Sequence, residues 1–221
     1  SALRRRLAAL TTMAVAEYFR DLGQSVLVIL DSVTRFALAC REIAIAAGEP
    51  PVSRGFPPSV FTDLPRLLER AGPGPCGAGD ITAIFSVLVD GDDHNDPISD
   101  AVRGIVDGHI VLDRAVAAQG RYPAINIPAS ISRLSHIALT PDRLALSTKL
   151  RGMIARFEES RDLRAMGGYM AGLDADLDAA VAIVPLLYAN LAQSEVDPPS
   201  MDAFRDVTEA LKRQTAASAQ I

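Results

Sequence analysis

Val26–Asp31 is the most constraining stretch of the chain: five aliphatic residues, VLVIL, run without alternation into an acid, and Ser32-Val33-Thr34-Arg35-Phe36 follows. Such a run predicts a strand buried on both faces, as in a parallel sheet covered by helices, and hence an α/β fold. In open α/β sheets ligands gather at the carboxyl ends of the strands, which is where Asp31 stands. A carboxylate buried there costs several kcal/mol unless a cation, a donor or water meets it. Mg²⁺ held against phosphates is one such cation. The other reading is an aspartate that caps the following helix, with Arg35 as its partner.

The chain of 221 residues is long enough for one large α/β domain, or a domain and a half. With 27 acidic against 22 basic residues and a net charge of −5, its overall field does not favour nucleic acid or anionic lipid. Lys149 and Lys212 are the only lysines and neither follows a glycine, so these residues contain no Walker A phosphate loop. Cys40 and Cys76 are too few for a disulfide framework and too far apart for a metal pair, which points to a reducing cytoplasm. Arg4-Arg5-Arg6 and the apolar residues after it imitate a secretory leader, but Thr11-Thr12 interrupts the run, which continues at helical spacing into Glu17-Tyr18-Phe19-Arg20. No stretch reaches the ~18 apolar residues of a membrane span; 179–192 comes nearest and carries Pro185, Tyr188 and Asn190.

The punctuation predicts a helix over 3–22, with an apolar face of Leu7, Leu10, Met13, Val15 and Phe19, ended by Gly23. A second helix over 36–47 is closed by Gly48 and stopped by Pro50-Pro51. The Pro/Gly loop 53–59 leads into a short helix through Arg70. Residues 72–77 match the letters of G-x-G-x-x-G, but they follow a helix and hold two prolines, so they read as a solvent loop. Ile81–Val89 is a second buried strand, and the acids from Asp90 to Asp96 read either as a metal site or as a loop whose Asp96-Pro97 caps the next helix over 100–106. Gly108–Asp113 is a third short strand, while His94, His109 and His136 each stand alone in sequence. Tyr122, held extended by Pro123, either offers a ring face to a purine or packs in the core. Arg133, just beyond an apolar segment, reads from its surroundings alone as a surface salt bridge. From Thr140-Pro141 the chain turns helical, with helices to about Glu159, over 174–192 and over 201–213, and a tail from Gln214 that frays. The expected division is an α/β part, 1–139, and a helical part, 140–221.

AVAEYFRD, VLVILDSVTRFALACREIAIAAGEPP, RGFPPSVFTDLPRLLERAG, VLVDGDDHNDPISDAVRGIVDGHIVLDRAVA and GRYPAINIPASISRL, in that order and spacing, resemble the ATPases of the type III export apparatus, relatives of the rotary ATP synthase subunits. DDHNDPISDAVRG is more similar to the flagellar branch than to the injectisome branch. The resemblance implies a RecA-like P-loop NTPase core, here partial, with a C-terminal helical domain. It implies ATP and Mg²⁺ as ligands, with Asp31 as the Walker B aspartate that holds Mg²⁺ through water and Arg35 as the arginine after it. It makes Arg133 of SISR the arginine finger that reaches a neighbour's γ-phosphate, Tyr122 the aromatic on adenine and Tyr169 the second ring of that pocket. A permanently charged, weakly hydrated guanidinium suits that role.

By the same resemblance the glycine-rich phosphate loop, the water-polarising glutamate and a β-barrel lie ahead of Ser1, so these residues alone would hydrolyse ATP poorly or not at all. The implied setting is a cytoplasmic homo-hexamer, peripheral to the membrane export gate, that meets regulator, stalk and chaperone–substrate proteins and no nucleic acid. A non-catalytic nucleotide-binding assembly subunit and a hexameric nucleic-acid translocase are the alternatives; the acidic balance and the lack of a basic, aromatic-bearing loop speak against the translocase.

Overall fold

The computed structural model describes residues 1–89, 91, 96–194, 196–198 and 200–218, with 214–218 by backbone alone. The acidic stretch weighed above as a metal site, with His94, therefore lies mostly outside the described residues. Two compact units are formed, Ser1–Val106 and Asp107–Ile221.

In the first unit, α1 (Ala2–Asp21) ends where Gly23 takes a positive φ of 81°, and the chain enters β1 (Ser25–Leu30). α2 (Val33–Ala46) begins at Ser32, whose hydroxyl accepts from the Arg35 amide, and α3 (Pro58–Leu68) follows the Pro/Gly loop. β3 (Asp80–Phe85) runs parallel to β1 in the register Ser25↔Asp80 to Leu30↔Phe85. Gly72-Pro73, expected as loop, instead form a two-residue β2 antiparallel to β3, giving the order β1-β3-β2. α4 (Pro97–Ile105) starts at Asp96, whose carboxylate accepts from the amides of Ile98 and Ser99, the predicted cap.

The core of this unit joins Ala9, Met13 and Ala16 of α1 to Val28, Phe36, Leu64, Leu67 and Ile81. Each large side chain so buried contributes about 1.5–3 kcal/mol. Two expectations fail here. β1 is covered on one face only, with Val28 buried but Leu27 61% and Ile29 66% exposed, because all the core helices of the unit pack against the Val28 side. Of the face expected for α1, Met13 is buried and Leu10 packs against the core, but Leu7, Val15 and Phe19 are exposed, and Ala9 and Ala16 turn inward because close approach to β1 and α2 favours short side chains.

In the second unit, β4 (Gly108–Leu112) pairs antiparallel with β5 (Ile125–Ser132), which forms over residues expected only as an apolar segment. α5 (Arg114–Ala118) joins them, and α6 (Ser135–Ala138) and α7 (Pro141–Glu159) follow. β5 packs on α7, so the division into compact units falls at 106/107, ahead of residue 140. α8 (Arg161–Ala165), α9 (Ala175–Leu191, capped by Asp174) and α10 (Ala203–Ser218) complete the unit; α10 continues through residues expected to fray. Ile154 of α7 and Ala180, Val184 and Leu187 of α9 form its core, with Ile127, Val207 and Leu211 against them. No helix among the described residues is long and apolar enough to cross a membrane.

Candidate functional site

β1 delivers Asp31 to the carboxyl edge of the parallel pair, exposed rather than buried. One of its oxygens, Oδ1, accepts from the Ser86 hydroxyl at 2.6 Å. The backbone is stitched on both sides of that contact: Ser86 N–H donates to Leu30 O at 3.1 Å, and Val33 N–H donates to Ser86 O at 2.9 Å. Thr34 adds a third tie, its Oγ1 accepting from Leu88 N–H at 2.9 Å. The cap of α2 is Ser32, not Asp31, and no ion pair joins Asp31 to Arg35 among the described residues, so the capping alternative is not what the structure forms. Arg35 stands exposed on the first turn of α2.

A carboxylate that has one oxygen held by a hydroxyl and the other without a described donor is a hard oxygen ligand. That suits Mg²⁺, which is usually held by one or two carboxylates together with substrate phosphates. Among the described residues no group of three or more His, Cys, Asp or Glu gathers into a metal cage. The donor set therefore fits an ion that takes most of its ligands from water or a bound molecule.

In the second unit, Arg133 follows the last residue of β5, its N–H donating to Asp107 O at 2.7 Å, and it is exposed. The strand pair below it closes tightly at Gly108, where a Cβ would lie 2.7 Å from Ile131 O. Tyr122 lines a cavity of about 260 Å³ together with Arg121, Pro123, Ile125, Tyr188 and Leu191. That volume is below the ~300–1,000 Å³ of whole-ligand pockets and suits a single planar ring system. Gln193 N–H donates to Tyr122 O at 2.9 Å and ties the end of α9 to this wall.

Tyr169 does not line the cavity. Its hydroxyl donates to Asp178 Oδ1 at 2.6 Å while Gly172 N–H donates to Oδ2 at 2.8 Å, so the ring fastens the turn before α9. The aromatic beside Tyr122 is Tyr188, which the sequence reading missed. The Arg121 guanidinium lies 3.8 Å over its ring, and Tyr188 OH donates to Glu158 Oε1 at 2.7 Å. Burial, and then the Glu158 contact, push the Tyr188 hydroxyl above its usual range. Arg121 Nε is buried without a hydrogen-bond partner among the described residues. Nothing local in the sequence marks Tyr188, which reaches the cavity from 66 positions beyond Tyr122. A larger open concavity of about 440 Å³ on the outer face of α2, at Leu38, Arg41, Glu42 and Ile45, carries none of the predicted residues.

Residues 1–132 match the ATP synthase alpha/beta family, nucleotide-binding domain, and residues 139–211 match the T3SS EscN ATPase C-terminal domain. The flagellum-specific ATP synthase of Rhizobium meliloti is 60% identical over 96% of this chain and 45% of its own length. The assembled ATPase EscN of the enteropathogenic E. coli type III secretion system superposes with a TM-score of 0.90 at 44% identity, over 95% of this chain and 51% of its own. EscN in complex with its central stalk EscO gives 0.83 at 43%, over 96% and 50%. The chain thus spans about half the length of the relatives it matches. With the match to the nucleotide-binding domain covering more than half of its residues, the chain belongs to the ATP synthase alpha/beta family.

Proposed function

We propose that the parent of this chain hydrolyses ATP to energise flagellar protein export, working as a homo-hexamer at the cytoplasmic face of the membrane. The observation that carries this reading is Asp31: a strand-end carboxylate held by Ser86 on one oxygen and open on the other, in a chain 60% identical to a flagellum-specific ATP synthase. Asp31 would hold Mg²⁺ through one of its waters. Bound with ATP, the ion would supply charge neutralisation to the phosphates.

Water attacks the γ-phosphorus in line, and the bond to the β-phosphate oxygen breaks. The Arg133 guanidinium of a neighbouring copy meets the charge that builds on the transferred group, and Arg35 adds positive charge beside Asp31. Tyr122 offers its ring to the adenine, with Tyr188 taking the place expected for Tyr169 as the second aromatic. The 221 residues hold no Gly-Lys-Ser/Thr, so the phosphates are gripped from elsewhere in the parent. The division near residue 140 is kept as the functional one: core before it, and after it the helices that meet stalk and chaperone–substrate partners.

Arg133→Ala in the full-length parent tests this reading. Turnover should fall by about 10³-fold or more, the range for an arginine finger, while ATP affinity measured with a non-hydrolysable analogue stays within about threefold. Affinity falling as steeply as rate would make Arg133 a binding residue and refute the finger role.

A further inference from the structure

We infer that Ser86 is the positioning residue for Asp31, aiming its carboxylate so that Oδ2 faces the Mg²⁺·nucleotide; this rests on the role proposed above for Asp31. ITAIFSVLV carries two hydroxyls; Thr82 pairs with Leu27 inside the strand, whereas Ser86 falls one residue beyond the Leu30↔Phe85 pair, where register sets it beside Asp31. Neighbouring residues of a parallel pair share a face of the sheet, so the Oγ meets the carboxylate without a detour.

Three hydroxyls surround the turn from β1 into α2, and two are engaged elsewhere. Ser32 Oγ accepts from Arg35 N–H, and Thr34 Oγ1 bonds both the N–H and the O of Leu88. Ser86 donates to Asp31 Oδ1 at 2.6 Å, within the 2.5–2.7 Å range of charge-assisted O–H···O⁻ bonds. Its own position is fixed by the two backbone bonds to Leu30 and Val33. Asp31 is exposed, so without this bond water competes for Oδ1 and the carboxylate samples other rotamers. Partners of this kind fix the orientation of a metal-holding carboxylate.

The test uses the full-length parent with Ser86→Ala, Ser86→Thr and Asp31→Asn. Mn²⁺ affinity in the presence of a non-hydrolysable ATP analogue is read by electron paramagnetic resonance, beside kcat and the thermal midpoint. Ser86→Ala should weaken Mn²⁺ binding and lower kcat about ten- to a hundredfold with an unchanged midpoint, and Ser86→Thr, which keeps the hydroxyl, should restore both. Should Ser86→Ala fail to fold, Ser86→Cys keeps the volume while weakening the donor and should show the same direction of loss. Wild-type Mn²⁺ affinity and kcat in Ser86→Ala, with Asp31→Asn inactive, would overturn the inference alone. An active Asp31→Asn would overturn the Asp31 reading and the inference with it.

Discussion

The Glu17 carboxylate on α1 receives two nitrogens of Arg70, Nε at 2.7 Å and Nη2 at 2.6 Å, so the chain two residues past α3 is clamped to the first helix. The side chains are only 25% and 29% exposed, Arg70 and Glu17 in that order, which protects the pair from full solvent screening. The Arg70 hydrogen bonds hold Glu17 below the usual glutamate range. A carboxylate lowered in the folded state adds stability that is present above its unfolded pKa, about 4.5, and lost as pH falls through the lowered folded value. Glu17→Gln should therefore cost about 1 kcal/mol at pH 7, and the difference from wild type should shrink as urea unfolding is repeated below pH 4. A difference that stayed constant with pH would refute the charge as its source. Cys40 shows the opposite case: burial, and then the nearby Asp63, push its thiol up to about 11, so it stays a packed, protonated group.

At the scale of elements, the alternation along β1 makes a sharp contrast between adjacent residues. Val28→Ala removes two buried methyl groups and should cost about 2 kcal/mol. Leu27→Thr, on the open face, should change stability by less than about 0.5 kcal/mol, both read by urea unfolding of this chain. Equal losses would mean that the exposed face is covered in solution. This contrast marks what a sequence tells. Ends of elements were legible because their chemistry is local: Gly23 after α1, Asp96-Pro97 before α4, Thr140-Pro141 before α7. An aliphatic run names a strand but not what lies on its faces, and the inward alanines of α1 are invisible to a search for large apolar residues. β5 escaped because Asn126, Pro128 and Ser130 mask its pattern. In the site, Asp31 was legible as a strand-end acid, whereas Ser86 and Tyr188 depend on partners 55 and 66 positions away, which only the register and packing reveal.

At the scale of the whole molecule, the proposed chemistry depends on two groups from two copies, Asp31 of one and Arg133 of the next. A head-to-tail interface presents a different surface on each side, so every closed ring site takes one residue from each neighbour. Asp31→Asn and Arg133→Ala parents should each be inactive alone for different reasons. Mixed before assembly, they can form interfaces in which an Arg133→Ala copy supplies Asp31 and an Asp31→Asn copy supplies Arg133. Random mixing at equal amounts places the intact combination at about a quarter of interfaces, so phosphate release should return to roughly that fraction of wild type if sites fire independently, and to less if neighbours must alternate. A double variant carrying both changes, mixed with wild type, should instead lower activity. If Asp31 and Arg133 served the same site from one copy, the two single variants would never restore each other at any ratio, and the shared site between copies would be refuted.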